Sequence, residues 1–312
     1  MVDTLVRKDV IYSFSKEHAP VRHVASGSTL VIETYDCFEN QISSNESGIN
    51  SIDWERVNPA TGPIFVENAR PGDILKVKID KIEIGESGVM AVGPGLGVMG
   101  HRIEKFEAKM IEIRDGRAIF NESLSIPLNP MIGVIGVAPE GDPIPCGTPG
   151  DHGGNMDTKL IEEGTELFLP IFAEGALFAL GDLHAAMGDG EIGVSGIEVS
   201  GKVTVTFEVI KGHTLQSPLL KNQEGIALLV SAKTLDEAVK SSVEQMIDLL
   251  LPYTDLPLSE MTMLMSAIGQ VQVSQVVDPL VTARFFVPNL FLDSYEIHLM
   301  QTGTEGQVPR PA

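Results

Sequence analysis

Apolar and polar residues alternate along several short segments in the first two thirds of the chain. Residues 28–34 and 199–210 follow this pattern, and residues 73–84 follow it with one slip in phase. Because successive side chains of a strand point to opposite faces, such alternation predicts half-buried β-strands. A nearly continuous apolar run at residues 167–180, broken by Pro170 and a Glu-Gly pair, predicts two buried strands around a turn.

The pattern changes after about residue 211, where two segments show helical spacing instead. Apolar residues within 234–251 recur every three or four positions, and Thr234 with Glu237 forms a capping-box pattern at the start. Residues 258–268 predict a second helix, which ends at Gly269.

The same C-terminal region also contains two β-rich segments, residues 271–277 and 283–287. Helices that follow a long β-rich stretch indicate a small α+β unit beside a β-rich body. We therefore predict a mainly β fold, with a β-sandwich-like body at residues 1–212 that carries the candidate active site. A smaller α+β part with two helices follows at residues 213–312, and its last residues, 302–312, are expected to form a loose tail.

Composition narrows the class of protein further. The 312 residues can bury a large core, and the 31 glycines suit a turn-rich β fold. A formal net charge of −21 disfavours binding to nucleic acid and to anionic membrane surfaces. Two cysteines, no apolar run of membrane-spanning length and no leader-like apolar core predict a cytoplasmic protein.

The segment GDLHAAMGDGEIGVSGIE gathers acidic residues and a histidine around one predicted turn. Asp182 and His184 stand two positions apart on a strand and therefore share a face. Asp189-Gly190 predicts a tight hairpin turn, and Glu191 falls on that same face with either a two-residue or a four-residue loop. The pattern predicts a divalent-metal site, with Asp182 and His184 as ligands and Glu191 as general base or further ligand.

A second segment, DHGGNMD, supplies further candidates for binding and catalysis. His152 and Asp157 are candidates for substrate orientation and proton transfer. Asn155 could bind a carbonyl or amide group. Gly153 and Gly154 would let the backbone approach a small substrate closely.

Three longer motifs run through the same part of the chain. They are VNPATGPIFVENARPGDILKV, PMIGVIGVAPEG and DHGGNMDTKLIEEGTELFLPIFAEGALFALGDLHAAMGDGE, which begin at residues 57, 130 and 151. Together they resemble the acetamidase/formamidase family. The resemblance implies hydrolysis of a short amide, such as formamide or acetamide, to the acid and ammonia. It also implies a homo-oligomer, a dimer or higher, that carries a divalent metal.

The resemblance adds one acidic residue near the N-terminus to the site. The segment ETYDCFENQI is similar to a family segment with an acid before a Gly-Gln pair, and Asp36 matches that acid. Asp36 is therefore expected as a third metal ligand. Glu39-Asn40 stands where the family segment has glycine, so the shape of this loop departs from the family pattern.

Hydrolysis of an unactivated amide has three chemical requirements: a polarised carbonyl, a nucleophilic water and a proton for the leaving nitrogen. A divalent metal supplies the first two, and a carboxylate or histidine can supply the third. Mixed nitrogen and oxygen ligands favour zinc, with calcium as the alternative ion. We therefore expect hydrolysis of small neutral amides by a metal-activated water.

Three other interpretations of these residues remain open from the sequence. The scaffold could support a lyase or a cyclic-amide reaction, because a fold does not fix a reaction. The acidic turn could instead hold calcium in a non-catalytic β module. Cys146, close in sequence to His152, could act as a nucleophile in place of activated water.

Overall fold

The computed structural model of this protein describes residues 2–300, which contain twenty β-strands and three α-helices. The strands are β1 (Asp3–Leu5), β2 (Val10–Ile11), β3 (Ser13–Phe14), β4 (Arg22–Val24), β5 (Thr29–Thr34), β6 (Ala60–Val66), β7 (Ile74–Val92), β8 (Glu107–Arg114), β9 (Arg117–Asn121), β10 (Leu124–Pro127), β11 (Met131–Gly136), β12 (Ile144–Pro145), β13 (Gly153–Asn155), β14 (Glu166–Pro170), β15 (Phe178–His184), β16 (Glu198–Ile210), β17 (Leu219–Lys221), β18 (Gly225–Ala232), β19 (Gln270–Gln275) and β20 (Val281–Pro288). The helices are α1 (Leu235–Leu250), α2 (Leu258–Ile268) and α3 (Asn289–Ser294).

Eighteen of these strands belong to one hydrogen-bonded sheet, while β3 pairs with β12 in a separate ribbon. The long strands β7 and β16 pair along most of their length, and β5, β8 and β14 extend this ladder. Pairing is antiparallel throughout this ladder, whereas β1 with β5 and β4 with β6 are parallel. The arrangement confirms the mainly β fold class.

Strand β7 shows how the sequence pattern produces this ladder. Its apolar residues Val77 and Ile79 are buried, and the lysine between them is exposed. The slip in phase that follows corresponds to a bulge: Val205 of β16 lies opposite Ile79, whereas Thr204 lies opposite Lys81. Asp80 is therefore the extra residue, and an inserted residue of this kind restores the apolar positions to the buried face.

The C-terminal helices follow the predicted boundaries closely. Helix α1 begins at Leu235, where the Thr234 hydroxyl accepts a hydrogen bond from the Glu237 backbone N–H at 3.2 Å. This contact satisfies one of the free amides of the first turn. Helix α1 packs on β18 and β20, and each aliphatic side chain that it buries contributes about 1.5–3 kcal/mol. Helix α3 is an element that the sequence pattern did not predict.

The C-terminal part shares both sheet and core with the body. Strand β14 pairs with β17, and the sheet then continues through β18 and β20 to β19. Ile74, Phe168 and Ile210 of the body pack in the same apolar cluster as the C-terminal helices. The division at residue 212 stays a prediction, and the expected tail at residues 302–312 lies outside the described residues.

Candidate active site

Strand β11 brings two chemically distinctive segments together. It pairs with β13 on one side and with β15 on the other, so that Val134 lies opposite both Asn155 and Gly181. Gly133 leaves room between these neighbours: a Cβ there would lie 2.7 Å from Asp182 Oδ2 and would also overlap the Asp157 carboxylate. The absence of a side chain at this position lets two carboxylates meet over the strand.

His184 lies at the centre of the resulting cluster. Its Nε2 lies 3.1 Å from a carboxylate oxygen of Glu198 and 3.4 Å from one of Asp182. Oxygens of Asp157 and Glu191 lie 3.8 Å away from the same nitrogen. All five side chains are buried, so the cluster concentrates charge in a region shielded from water.

The predicted hairpin around Asp189-Gly190 is wrong. Strand β16 begins only at Glu198, which lies directly opposite His184, so residues 185–197 form a long loop. Glu191 reaches the cluster from within this loop, with a positive φ of 44°. Glu191 therefore lies near His184 because of this loop and not because of a hairpin register.

The C-terminal part holds the loop that carries Glu191. The Gly190 backbone N–H donates to the Ser274 carbonyl at 2.8 Å, and the Val276 N–H donates back to the Gly190 carbonyl at 3.1 Å. These bonds connect the loop to the end of β19. The position of Glu191 therefore depends on residues more than eighty positions away in the sequence.

A cavity of about 160 Å³ opens beside the cluster. Carboxylates of Asp182, Glu191, Glu198 and Asp278 line it, together with Asn155 and apolar side chains. The Asn155 amide donates to Asp278 Oδ2 at 3.0 Å, while its own carbonyl oxygen is buried and has no hydrogen-bond partner within residues 2–300. A cavity of this size suits a small molecule with both a hydrogen-bond donor and an acceptor.

Burial and close like charges control the protonation of the cluster. Burial opposes charging of the His184 ring, but the carboxylates of Glu198 and Asp182 raise its pKa well above the usual value. Burial, followed by the charge of Asp157, raises the pKa of Glu191 well above its usual value. Burial also raises the pKa of Glu198 to about 8. The cluster's own groups therefore keep only part of it ionised at neutral pH.

The donor atoms of the cluster fit a divalent cation. Atoms of Asp157, Asp182, His184 and Glu198 are buried without a hydrogen-bond partner in the described part of the chain. Such atoms cost about 1–3 kcal/mol each unless something compensates them. Ligand atoms of Asp157, His184 and Glu191 lie within 4.8 Å of one another. One imidazole among several carboxylates is a donor set that suits zinc.

Comparison with known proteins agrees with these observations. The family model described as the Acetamidase/Formamidase family matches residues 12–145 and 144–291. The chain belongs to the acetamidase/formamidase family. One similar crystal structure, of a predicted acetamidase/formamidase from Thermoanaerobacter tengcongensis, is 56% identical with a TM-score of 0.94. That alignment covers 96% of this chain and 99% of the other.

Two further relatives extend the comparison. The crystal structure of an acetamidase from Bacillus halodurans is 44% identical, has a TM-score of 0.92, and aligns over 94% of this chain and 100% of its own. A formamidase from Methylophilus methylotrophus is 27% identical, in an alignment that covers 64% of this chain and 64% of the other protein. This family member spans 61–64% of the length of the curated relatives that it matches.

Asp36, which the sequence predicts as a third metal ligand, has hydrogen bonds of its own in this family member. Asp36 is buried, and its Oδ1 accepts backbone N–H bonds from Phe38 at 3.0 Å and Asn40 at 2.7 Å. Burial raises the pKa of Asp36 to about 6, and the charge of Asp182 adds to this effect. Backbone amides thus already engage one of its two carboxylate oxygens. The role of Asp36 as a metal ligand stays a prediction.

His152 occupies an apolar environment. Its ring packs edge-on against Phe14 with centroids 5.1 Å apart, and burial lowers its pKa to about 4, so the ring is neutral. Gly153 and Gly154 have positive φ and pair with β11, and they are not part of the cavity wall. The catalytic role of His152 and the substrate-binding roles of the two glycines stay predictions.

Cys146 does not suit nucleophilic catalysis. Its Sγ donates to the Ile11 carbonyl at 3.6 Å, and its side chain packs in an apolar cluster. Burial raises the pKa of this thiol, so the protonated form dominates at neutral pH. Because the thiolate is the nucleophile, this environment disfavours the reaction.

Sequence reasoning missed three residues of the site. Glu198 is the last residue of the segment GDLHAAMGDGEIGVSGIE. The short hairpin predicted at Asp189-Gly190 did not place it opposite His184. Asp278 and Cys37 line the cavity from segments far away in the sequence. A signal for Glu198 was its position at the start of an alternating strand, whereas Asp278 has no local signal.

Proposed function

We propose that this protein hydrolyses short aliphatic amides of the formamide and acetamide class to the carboxylic acid and ammonia. The observation that carries the proposal is the small cavity whose wall combines Asn155 with carboxylates of the His184 cluster. Family membership and relatives named as acetamidase or formamidase support the same reaction class. A homo-oligomeric state and a cytoplasmic location stay predictions; no helix within residues 2–300 has the length and apolarity to cross a membrane.

The cluster is proposed to hold one divalent ion, with zinc as the expected metal. Asp182, His184 and Glu198 would hold it, because their donor atoms lie closest together. A divalent ion there would polarise the amide carbonyl and lower the pKa of a coordinated water to about 7. The ligand role of Asp36 stays a prediction from the sequence.

The remaining residues have proposed roles in binding and proton transfer. The unpaired Asn155 carbonyl oxygen accepts an N–H of the substrate amide and so orients it in the cavity. Glu191 takes a proton from the attacking water and returns it to the nitrogen as the C–N bond breaks. Asp157 stands beside Glu191 and shares the proton during this transfer.

Release of ammonia from formamide, acetamide and a longer amide tests the proposal. Removal of bound metal with a chelator is expected to lower the rate by at least about a hundredfold, because several kcal/mol of carbonyl polarisation are lost. Zinc should restore the rate. Full activity after verified metal removal contradicts the metal role, and no ammonia from any short amide with metal-loaded protein contradicts the amidase proposal.

A pair of matched variants checks that the cluster is responsible. Asp182→Asn keeps the shape of a buried ligand but removes its charge, so both metal content and ammonia release should fall. Asp142→Asn makes the same chemical change at an exposed position and should leave both unchanged. Equal behaviour of the two variants contradicts the proposed site.

A further inference from the structure

Cys37 places its sulfur beside two carboxylates of the cluster. Its Sγ lies within 4.8 Å of a carboxylate oxygen of Asp182 and of one from Glu198. The residue is only 7% exposed, and it lines the cavity. Asp182 Oδ1 and Glu198 Oε2 are buried and make no hydrogen bond in the described chain. Two unsatisfied oxygens and a sulfur thus approach the same region.

The same two carboxylates also contact His184. The His184 Nε2 lies 3.4 Å from Asp182 Oδ1 and 3.1 Å from Glu198 Oε2. The sulfur and the imidazole nitrogen thus each lie close to the same two carboxylate groups. Soft sulfur and imidazole donors select zinc and similar transition metals, whereas calcium takes oxygen ligands.

We propose that Cys37 is a thiolate ligand of the divalent ion held by Asp182, His184 and Glu198, and that this sulfur selects zinc over calcium. The inference rests on the proposed function, because it assigns a further ligand to the ion proposed there. On binding, a sulfur–metal bond forms and the thiol proton leaves to the solvent. Each ion bound therefore releases that proton.

A buried cysteine can also be a small apolar side chain with no ligand role. Cys37 does pack with Phe38 and Ile42 in an apolar cluster, but its sulfur lies within 4.8 Å of carboxylate oxygens of Asp182 and Glu198. Cys146 is the contrasting case, since its sulfur meets a backbone carbonyl within an apolar cluster. The two cysteines of the chain thus provide a candidate ligand and a matched control.

Cobalt substitution of the full-length protein tests the assignment by spectroscopy. A cobalt–thiolate bond produces a charge-transfer band in the near ultraviolet, which nitrogen and oxygen ligands do not produce. We expect this band in the wild type and in Cys146→Ser, and its loss in Cys37→Ser. The zinc dissociation constant should rise by at least about tenfold in Cys37→Ser, because loss of even a residue that only supports a metal ligand typically costs that much affinity. It should stay unchanged in Cys146→Ser.

Ammonia release, measured on the same samples, separates the two proposals. If the wild-type protein binds one equivalent of cobalt and releases ammonia but shows no charge-transfer band, Cys37 is not a ligand. The proposed function would still stand. A band that persists in Cys37→Ser also overturns it. No metal binding together with no ammonia release overturns both. If serine disturbs folding, Cys37→Ala replaces it, and the wild-type spectrum decides independently of any variant.

Discussion

The buried Arg284 guanidinium donates to Asp189 Oδ1 at 2.8 Å and so connects strand β20 to the loop that carries Glu191. Arg284 is 1% exposed, and its other nitrogens donate to Gln272, the Val273 carbonyl and Ser274. The side chain thus connects the end of β19 to the loop that carries Glu191. We regard Arg284 as a positioning residue, because it acts through Asp189 and not on the cavity itself.

Replacement of Arg284 should therefore loosen the loop as well as the C-terminal part. Arg284→Met leaves several buried acceptors unpaired, so we expect the free energy of unfolding to fall by about 2–4 kcal/mol. Denaturant unfolding measures this loss. The kcat for ammonia release should fall more than KM changes, because Glu191 loses its fixed position.

Lys159 supplies the control for that experiment. It also pairs with Asp189, at 2.9 Å, but both side chains are about one third exposed. Lys159→Met should cost less than about 1 kcal/mol, as is usual for exposed pairs. Similar losses in both variants would mean that Arg284 has no special positioning role.

Glu191→Gln should separate chemistry from metal binding. If Glu191 is the general base, kcat falls by about 10²–10⁴-fold while the zinc content per chain stays the same. Ammonia release and elemental analysis of the purified protein give the two readings. Glu122→Gln, at an exposed position, is the control. Parallel loss of zinc and activity would instead make Glu191 a ligand.

Gly133→Ala should disrupt the cluster without changing any donor atom. The added methyl group would lie 2.7 Å from Asp182 Oδ2 and push the carboxylates apart. We expect overpacking to cost about 1–3 kcal/mol in unfolding free energy, with a weaker zinc affinity by calorimetry. Gly141→Ala, which meets nothing within 4 Å, should change neither. Normal zinc affinity in Gly133→Ala would show that the cluster tolerates displacement of its carboxylates.

The stability of chelator-treated protein should depend on pH through Glu198. Burial raises its pKa from 4.5 to about 8, so the folded state keeps a proton that the unfolded state releases between these values. Its contribution is greatest below about pH 4.5, falls as pH rises to about 8, and is constant above that. Urea unfolding across this range measures the slope. Glu198→Gln should flatten it, and a slope that is unchanged in the variant contradicts the assignment.

The sequence predicted several of the longer strands and two of the three α-helices in the described residues, because local patterns determine them. Alternation predicted β5, β7 and β16, and the slip in phase corresponds to a bulge at Asp80. The capping residue and the terminal glycine predicted the limits of α1 and α2. Helix α3 was missed because it is short and follows directly on β20.

The candidate site was predictable only in part, because several of its contacts join residues that are far apart in the sequence. Asp182 and His184 lie close together, as their spacing within a single strand predicts, although Asp182 itself has a positive φ of 54°. Glu198 depends on the length of a loop that a strong Asp-Gly turn signal obscured. Asp278 depends on how the C-terminal strands lie against the body, and no local pattern encodes that contact.

The dependence of Glu191 and Asp278 on β19 and β20 has a consequence for biosynthesis. A growing chain on the ribosome has the β-rich body, with Asp182 and His184, long before residues 274–284 emerge. The contacts that hold Glu191, and the carboxylate of Asp278, are missing until β19 and β20 have been made. Activity is therefore expected only after β19 and β20 have been made, and a fragment that stops before β19 should fold in part yet stay inert.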